Sequence, residues 1–276
     1  MRNSGAICTV LSHNDTLLTF GLCGCRDLNK EVSALANALL HTNHTFTTLR
    51  LRNCDIDAAV GKALSCLLSG NRTITTLAIT RSCLNFATPT FSVNLLSKNR
   101  TLTTLVLNGN CIDTEGAKVL SETLTRNHAL TTLSLSHNVE MGHAGMKYIA
   151  ILLQNNTTLQ TLDMCRCNIG PDDAKAISAG LSRNHGLRVL DMFRNSIEDF
   201  GAESFAGALV TNQTLERLNL AWCWFFTKGV KALTLALRKN RTLRWLSIVG
   251  GKVFGVSAVK MIKSCMMTTT LTIEYE

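Results

Sequence analysis

The chain has 276 residues and a formal net charge of +9, with 46% hydrophobic and 17% charged residues. This composition excludes a disordered chain, because such chains are poor in apolar residues. Aromatic residues make up only 5%, and there are two prolines. Leu, Ile, Val and Ala therefore supply most of the apolar mass, which argues against an aromatic-rich sandwich or barrel. No apolar run approaches the roughly 20 residues of a membrane-spanning helix.

Cysteine usage and charge indicate the compartment and one class of partner. The chain has eleven cysteines and opens without the apolar core of a secretory signal, so we expect thiols in a reducing, cytoplasmic compartment. Residues 216–276 hold 10 Lys and Arg against 3 Asp and Glu. This basic C-terminal region would suit an acidic partner, although a solvated face is the simpler interpretation. Besides Arg217, its cations are Lys228, Lys231, Arg238, Lys239, Arg241, Arg244, Lys252, Lys260 and Lys263.

A phrase of the form N-x-T-L-x-x-L-x-L recurs along the chain at intervals of 28 or 29 residues. Alternating apolar residues within it predict a short strand with one buried face. Leu271 and Ile273 fit a tenth strand. The first apolar position of the phrase falls at Leu17, Phe46, Ile74, Leu102, Leu130, Leu159, Leu187, Leu215 and Leu243.

The second half of each repeat predicts a helix, because its apolar residues lie four apart. Asp57, Asp113 and either Asp172 or Asp173 are expected N-caps. The Asn before each strand is expected to end the helix in a left-handed conformation. One strand and one helix per repeat predict an α/β solenoid, with parallel strands on a concave face and helices on the convex face.

The spacing L-x-x-L-x-L-x-x-[N/C]-x-[I/L] resembles the ribonuclease-inhibitor-like class of leucine-rich repeats. A clear instance runs from Leu102 through Asn110 to Ile112. The resemblance implies one horseshoe-shaped domain over residues 1–276, with about nine repeats from residue 14 and a terminal strand. Residues 1–13 would form a partial helix or a makeshift cap. The family includes inhibitors, receptor sensing domains, GTPase-activating proteins and pathogen effectors, so the fold alone does not fix the function.

Side chains at the third, fifth, seventh and eighth positions of each phrase are expected to face the concave space. Trp and Arg dominate protein interfaces, so we predict partner contacts in the C-terminal half at Phe193, Arg194, Arg217, Trp222 and Trp245. Either tryptophan could instead fold back onto the solenoid. Further candidates are an acidic pair with its basic neighbour and a separate basic spot: Asp163, Asp191, Arg166, Arg50, Arg52 and Arg81.

Two details of these candidates remain open. Asp163 and Asp191 lie one repeat apart, and Arg166 and Arg194 could simply neutralise them. Repeat 8 carries four aromatic residues in the five-residue segment 222–226. This concentration is unusual in a chain so poor in aromatic residues, and it favours a local specialisation.

No metal, cofactor or catalytic site is predicted. Cys23-Gly-Cys25 and Cys165-Arg-Cys167 look like metal pairs, but alternate strand residues face opposite ways. The sequence contains no P-loop, nucleophile elbow or dinucleotide fingerprint.

We therefore predict a non-enzymatic protein that binds a protein partner on its concave surface. Nucleic acid is not an expected partner, because the tryptophans lie away from the basic region. Two alternatives stay open. One is a regulator of a small GTPase of the GTPase-activating type. The other is the sensing or targeting part of a larger receptor or pathogen effector.

Overall fold

The computed structural model describes residues 14–25, 45–82, 84, 95–250 and 272–274. Ten strands form one parallel sheet, in which each strand pairs with the next along the chain. The predicted tenth strand is therefore present. The strands are β1 (Thr19–Cys23), β2 (Thr48–Arg52), β3 (Thr76–Thr80), β4 (Thr104–Val106), β5 (Thr132–Ser134), β6 (Thr161–Asp163), β7 (Val189–Asp191), β8 (Arg217–Asn219), β9 (Trp245–Ser247) and β10 (Thr272–Glu274).

The described helices pack side by side, from α2 against α3 through to α5 against α6. They are α1 (Ala58–Gly70), α2 (Thr114–Thr125), a 3-10 turn (Val139–Met141), α3 (Gly142–Asn155), α4 (Pro171–Leu181), α5 (Glu198–Thr211) and α6 (Thr227–Leu237). Within the described ranges, no helix combines the length and apolar character needed to cross a bilayer. Strand and helix alternate from β2 to β3 and from β4 to β9, which confirms the predicted α/β solenoid.

The core lies between the sheet and the helices. Leu105 and Leu107 on the fourth rung are 1% exposed, and their counterparts on the neighbouring rungs are buried in the same register. Burial of a leucine side chain contributes about 1.5–3 kcal/mol. The predicted apolar pair Leu35/Leu39 lies outside the described residues. The six predicted pairs within the described helices are buried: Leu64/Leu68, Leu120/Leu124, Ile149/Leu153, Ile177/Leu181, Phe205/Leu209 and Leu233/Leu237.

The Asn before each strand joins neighbouring repeats, but not in the predicted conformation. Asn71 and Asn212 have extended rather than left-handed backbones. In this conformation, the Asn212 Oδ1 accepts the Leu215 N–H at 2.8 Å. Its Nδ2 donates to the carbonyl oxygens of Leu181 and Asn184, at 2.9 and 3.0 Å. Asn71 and Asn212 do end their helices, as predicted. Only the predicted left-handed conformation is wrong, because the amide satisfies backbone groups in its own repeat and in the preceding one.

Helix N-caps follow the prediction in two cases and depart from it in one. Asp57 and Asp113 each accept the N–H three residues further on, at 2.8 Å. The cap of α4 is Gly170, not Asp172 or Asp173, because Pro171 takes the first helical position. Asp173 instead accepts the Gly170 N–H at 3.0 Å.

At one equivalent position shortly after each of β1–β9, the residue has a positive φ, between 51° and 86°. Its N–H donates to a carbonyl of the next repeat where that bond is described, as from Trp222 to Val249 at 2.7 Å. A residue with a Cβ adopts this conformation at a cost of about 1–2 kcal/mol, so stacking of the repeats imposes it. We call this the left-handed position. It is occupied by Gly24, Asn53, Arg81, Gly109, His137, Arg166, Arg194, Trp222 and Gly250.

Some predictions lie outside the described residues. They are the cap at residues 1–13 and three cations of the basic C-terminal region, Lys252, Lys260 and Lys263. The extent of a single domain over residues 1–276 also stays a prediction.

Candidate protein-binding surface

The concave surface changes character along the solenoid. The first residue of the strand is a threonine in β2–β6. The same register position holds Val189 in β7, Arg217 in β8 and Trp245 in β9. Among the described strands, Arg or Trp therefore replaces a small side chain at this register position only in β8 and β9.

Arg194 stacks between two aromatic rings. Its guanidinium carbon lies 5.2 Å from the ring centroid of Phe193 and 5.3 Å from that of Trp222. Arg194 and Trp222 occupy the left-handed position in successive repeats, which places their side chains next to each other. The indole lies against Gly250, where an added Cβ would come within 2.6 Å of it. Trp222 is nevertheless 46% exposed, so it has not folded away into the core.

A second stack lies at the start of the last two full repeats. The Arg217 guanidinium carbon is 4.4 Å from the ring centroid of Trp245. The Trp245 Nε1 donates to Glu274 Oε1 at 3.1 Å. Trp245 is half-buried and bonded to the terminal strand, so its ring is partly structural. The two stacks together form the Arg–aromatic cluster: Phe193, Arg194, Arg217, Trp222 and Trp245.

Asp163 and Asp191 are held by hydrogen bonds. Each accepts the backbone N–H two residues further on, at 2.9 Å. Asp163 also accepts the Ser134 hydroxyl at 2.5 Å. Among the described side chains, neither aspartate forms an ion pair with Arg166 or Arg194. Simple charge neutralisation therefore does not describe these four residues.

A thiol lies beside the two carboxylates, and sequence reasoning missed this grouping. The ligand atoms of Asp163, Cys165 and Asp191 all lie within 4.8 Å of one another, close enough to hold a metal ion. Burial, and then hydrogen bonds to both carboxylates, raise the pKa of the Cys165 thiol far above its usual range. The thiol therefore stays protonated and donates to carboxylate oxygen. The 28-residue spacing of Asp163 and Asp191, which places them side by side on neighbouring strands, was the signal that could have revealed this group.

Cys167 faces the core, as the strand alternation predicts. It is 1% exposed, and its Sγ donates to the Leu135 carbonyl oxygen at 3.2 Å. Burial raises the pKa of this thiol to about 12. Cys165 and Cys167 therefore do not form a metal pair with each other.

The predicted basic spot lies on two neighbouring rungs of the N-terminal half. Arg50 and Arg52 are exposed on β2, and Arg81 is exposed at the left-handed position after β3. Within the described part of the chain, none of the three has an ion-pair partner. The spot therefore keeps its positive charge.

The basic C-terminal region divides between the last described helix and one edge of the sheet. Lys228 and Lys231 are exposed on α6. Arg241 and Arg244 instead line a cleft of about 230 Å³ with His185 and Arg188, at the edge where the strands begin. Arg188 pairs with the carboxylate of Glu216.

The aromatic segment of repeat 8 alternates between core and solvent. Cys223 and Phe225 are each 2% exposed, whereas Trp222, Trp224 and Phe226 are 43–57% exposed. The exposure of Trp224 and Phe226 was not predicted.

Comparisons with known proteins agree with this architecture. The leucine-rich repeat family model matches residues 42–65, 98–121, 126–150, 155–178, 183–206 and 211–233. No curated protein sequence matches the chain.

Solved structures show a likeness of fold. The TLR13–ssRNA13 complex shares 17% identity over 96% of this chain and 37% of that chain, with a TM-score of 0.55. The yeast Rad7–Elc1 complex shares 14% identity over 98% and 77%, with a TM-score of 0.49. The Caenorhabditis elegans tropomodulin C-terminal domain shares 10% over 53% and 91%, with a TM-score of 0.46. The six family matches together span just over half of the 276 residues, and the chain belongs to the leucine-rich repeat family.

Proposed function

We propose that the protein is a non-enzymatic scaffold that binds a protein partner on its concave surface through the Arg–aromatic cluster. Membership of the leucine-rich repeat family supports the general role of an interaction scaffold. The observation that carries the proposed site is the stack of Arg194 between Phe193 and the 46% exposed Trp222. This stack offers apolar area and cationic donors at one place.

The stacking matters because it lowers the cost of binding. A long arginine side chain loses about 0.5–1.5 kcal/mol of conformational entropy when a partner immobilises it. The two rings already restrain Arg194 before the partner arrives. Binding can then use its guanidinium for hydrogen bonds to carboxylates or carbonyls.

The surroundings of the cluster define a complementary partner. Asp163 and Asp191 place negative charge beside the cluster, so the matching surface should carry both signs of charge around an apolar centre. Arg50, Arg52 and Arg81 would form a secondary electrostatic contact with the same partner.

The proposal has two further parts. The basic C-terminal region would contact an acidic segment of the partner, and the exposed Arg241 and Arg244 support this part. The protein would work in a reducing compartment such as the cytoplasm. Support comes from Cys54, Cys167 and Cys223, whose thiols donate to carbonyl oxygens in the repeat before their own.

The test compares the wild type with the triple variant Arg194→Ala, Trp222→Ala, Trp245→Ala. Quantitative affinity purification from the native cell type would identify the partner, and its affinity would then be measured with purified proteins. We expect the triple variant to bind at least about 30-fold more weakly, because single hot-spot truncations already cost about 2 kcal/mol or more.

A matched control removes one arginine and two exposed apolar side chains elsewhere, as Arg183→Ala, Ile151→Ala, Leu235→Ala. All three residues are exposed and lie outside the cluster. Both variants must first show the circular dichroism spectrum and unfolding transition of a folded solenoid. Equal retention of the partner by the triple variant and the control would overturn the proposed site.

A further inference from the structure

Three exposed aromatic side chains line a second depression, away from the Arg–aromatic cluster. Phe200, Trp224 and Phe226 are 46%, 57% and 43% exposed. With Glu198 and Asp199 they surround a space of about 570 Å³, next to the first turns of α5 and α6. Ser196 completes the lining. We call this space the aromatic cleft.

The backbone of the cleft is strained at two bulky residues. Trp224 and Glu198 have φ values of 59° and 58°, which L-residues with large side chains rarely adopt. The Glu198 N–H donates to the Cys223 carbonyl at 3.0 Å, so the two strained segments are joined. Cys223 and Phe225 are buried on either side of Trp224. Cys111 and Asn168 also have a positive φ at the position of their repeats that is equivalent to Trp224, so this backbone belongs to the repeat. Core packing therefore fixes Trp224 in the cleft without burying its own ring.

The two carboxylates of the cleft, Asp199 and Glu198, differ in their hydrogen bonding. Asp199 Oδ1 accepts the N–H groups of Phe226 and Gly229, at 2.9 and 2.7 Å, and so caps the next helix. Within the described part of the chain, the Glu198 carboxylate makes no hydrogen bond and no ion pair. One charged group therefore stands beside the rings without a structural role.

One ring of the cleft already contacts a cation. The Lys175 Nζ lies 5.6 Å from the ring centroid of Phe200. Among the described residues, Phe200, Trp224 and Phe226 do not stack on one another. The faces of Trp224 and Phe226 therefore stay available, whereas Lys175 already lies over the ring of Phe200. An aromatic face attracts an ammonium group, and attraction is strongest for Trp.

We propose that the aromatic cleft binds a lysine side chain of a partner protein, with the three rings around the ammonium group and Glu198 as its counter-ion. A neutral apolar side chain would bury the Glu198 carboxylate without a partner, which is unfavourable. An anion would meet Glu198 and Asp199. This site goes beyond the proposed concave interface and does not depend on it.

The test uses the full chain labelled with 15N and follows its indole N–H signals by NMR. The chain has three tryptophans, so single Trp→Phe variants assign the signals. Two peptides are titrated: acetyl-Ala-Lys-Ala-amide and its norleucine analogue, which keeps the aliphatic chain but lacks the charge. We expect the lysine peptide to shift the Trp224 signal and to leave Trp222 and Trp245 unmoved. The norleucine peptide should bind at least fivefold more weakly.

The variant Glu198→Gln shows whether Glu198 acts as a counter-ion to the bound lysine or only packs against it. The substitution is nearly isosteric and removes only the charge, so it should weaken binding of the lysine peptide at least fivefold. Binding of the norleucine peptide should strengthen, because no carboxylate is then buried without a partner. Lys175→Met should strengthen binding, because it removes the resident cation. Equal shifts with both peptides, or unchanged binding in Glu198→Gln, would overturn the proposal. The concave interface can fail its own test without affecting this result, since no partner is needed here.

Discussion

The two halves of the concave surface share one scaffold and differ in what they present. In the N-terminal half, the first strand position is threonine in four successive rungs, β2–β5. In the C-terminal half the same position holds Arg217 in β8 and Trp245 in β9. Beneath both halves the leucines of β2–β9 are buried, whereas Leu22 of β1 is partly buried. Outward positions of β2–β9 can therefore vary without disturbing the core, so the fold and the concave surface are specified separately.

The left-handed position allows a direct comparison of two rungs. Gly109 occupies it after β4 and Trp222 occupies it after β8, although each half holds both glycine and larger residues there. Both N–H groups bond to the next repeat, at 2.8 and 2.7 Å. Since the hydrogen bonding is the same, the bulky residue adds strain that the scaffold does not require. A binding role would explain why tryptophan stands there.

The largest expected effect is the loss of stability when an Asn that joins neighbouring repeats is removed from either half. Asn99→Ala and Asn212→Ala should each destabilise the fold by about 3 kcal/mol, because each leaves several buried backbone groups without a partner. Asn99 Nδ2 donates to the Leu68 carbonyl at 2.6 Å, and its Oδ1 accepts the Leu102 N–H at 2.7 Å. Urea unfolding followed by circular dichroism measures both losses. A loss confined to one half would show that the scaffold is not equivalent along the chain.

How much the sequence predicts depends on whether a feature is periodic. The strands, the buried leucines and the caps Asp57 and Asp113 follow from residue spacing, because each repeat meets the same neighbours. Trp222 and Arg194 could be nominated as surface residues on the same grounds. Their stacking could not be predicted, because it depends on the left-handed backbone that places both side chains together.

The features that sequence reasoning missed are contacts between repeats. The thiol–carboxylate group of Asp163, Cys165 and Asp191 joins two rungs. The cap that Asp199 supplies to α6 likewise crosses from one repeat to the next. Local patterns of capping and periodicity describe one repeat at a time, so such contacts appear only when the rungs are set in register.

The second prediction compares glycines at the left-handed position. Gly109→Ala should cost about 1 kcal/mol, because alanine disfavours a positive φ. An added Cβ there meets Arg81 Cγ at 3.4 Å, an ordinary contact. Gly250→Ala should cost about 2 kcal/mol, since overpacking adds to the strain and the Cβ would come within 2.6 Å of the Trp222 indole.

Thermal unfolding measures both losses, and tryptophan fluorescence reports the indole directly. The emission maximum should move in Gly250→Ala and stay unchanged in Gly109→Ala. Partner binding should weaken only in Gly250→Ala. An unchanged spectrum in both variants would contradict the close packing of Trp222 on Gly250.

The third prediction concerns thiols in the two halves. Cys66 is exposed on α1, whereas Cys165 is half-buried beside two carboxylates. Because its pKa is raised, Cys165 should react with iodoacetamide at pH 8 at least about tenfold more slowly than Cys66. Peptide mass spectrometry gives the rate at each site.

Removing one carboxylate tests whether the two aspartates cause the slow alkylation of Cys165. Asp191→Asn should accelerate alkylation of Cys165, because the negative charge that opposes thiolate formation is gone. The rate at Cys66 should not change. If Cys165 reacts as fast as Cys66 in the wild type, the carboxylates do not control the thiol.

The smallest expected effect is the change in stability when glycine replaces arginine at the left-handed position, and its sign should differ between the two halves. Glycine relieves the strain of a left-handed residue, but it also gives the unfolded chain more freedom, so Arg81→Gly should stabilise the fold by about 0.5 kcal/mol. Arg194→Gly gains the same relief but loses two cation–π contacts of about 0.5–1 kcal/mol each, so it should destabilise slightly. Paired urea titrations resolve this difference if both variants are measured in one series. Equal effects would mean that the stack of Arg194 adds nothing to stability, which would contradict the argument that the two rings restrain this side chain before a partner binds.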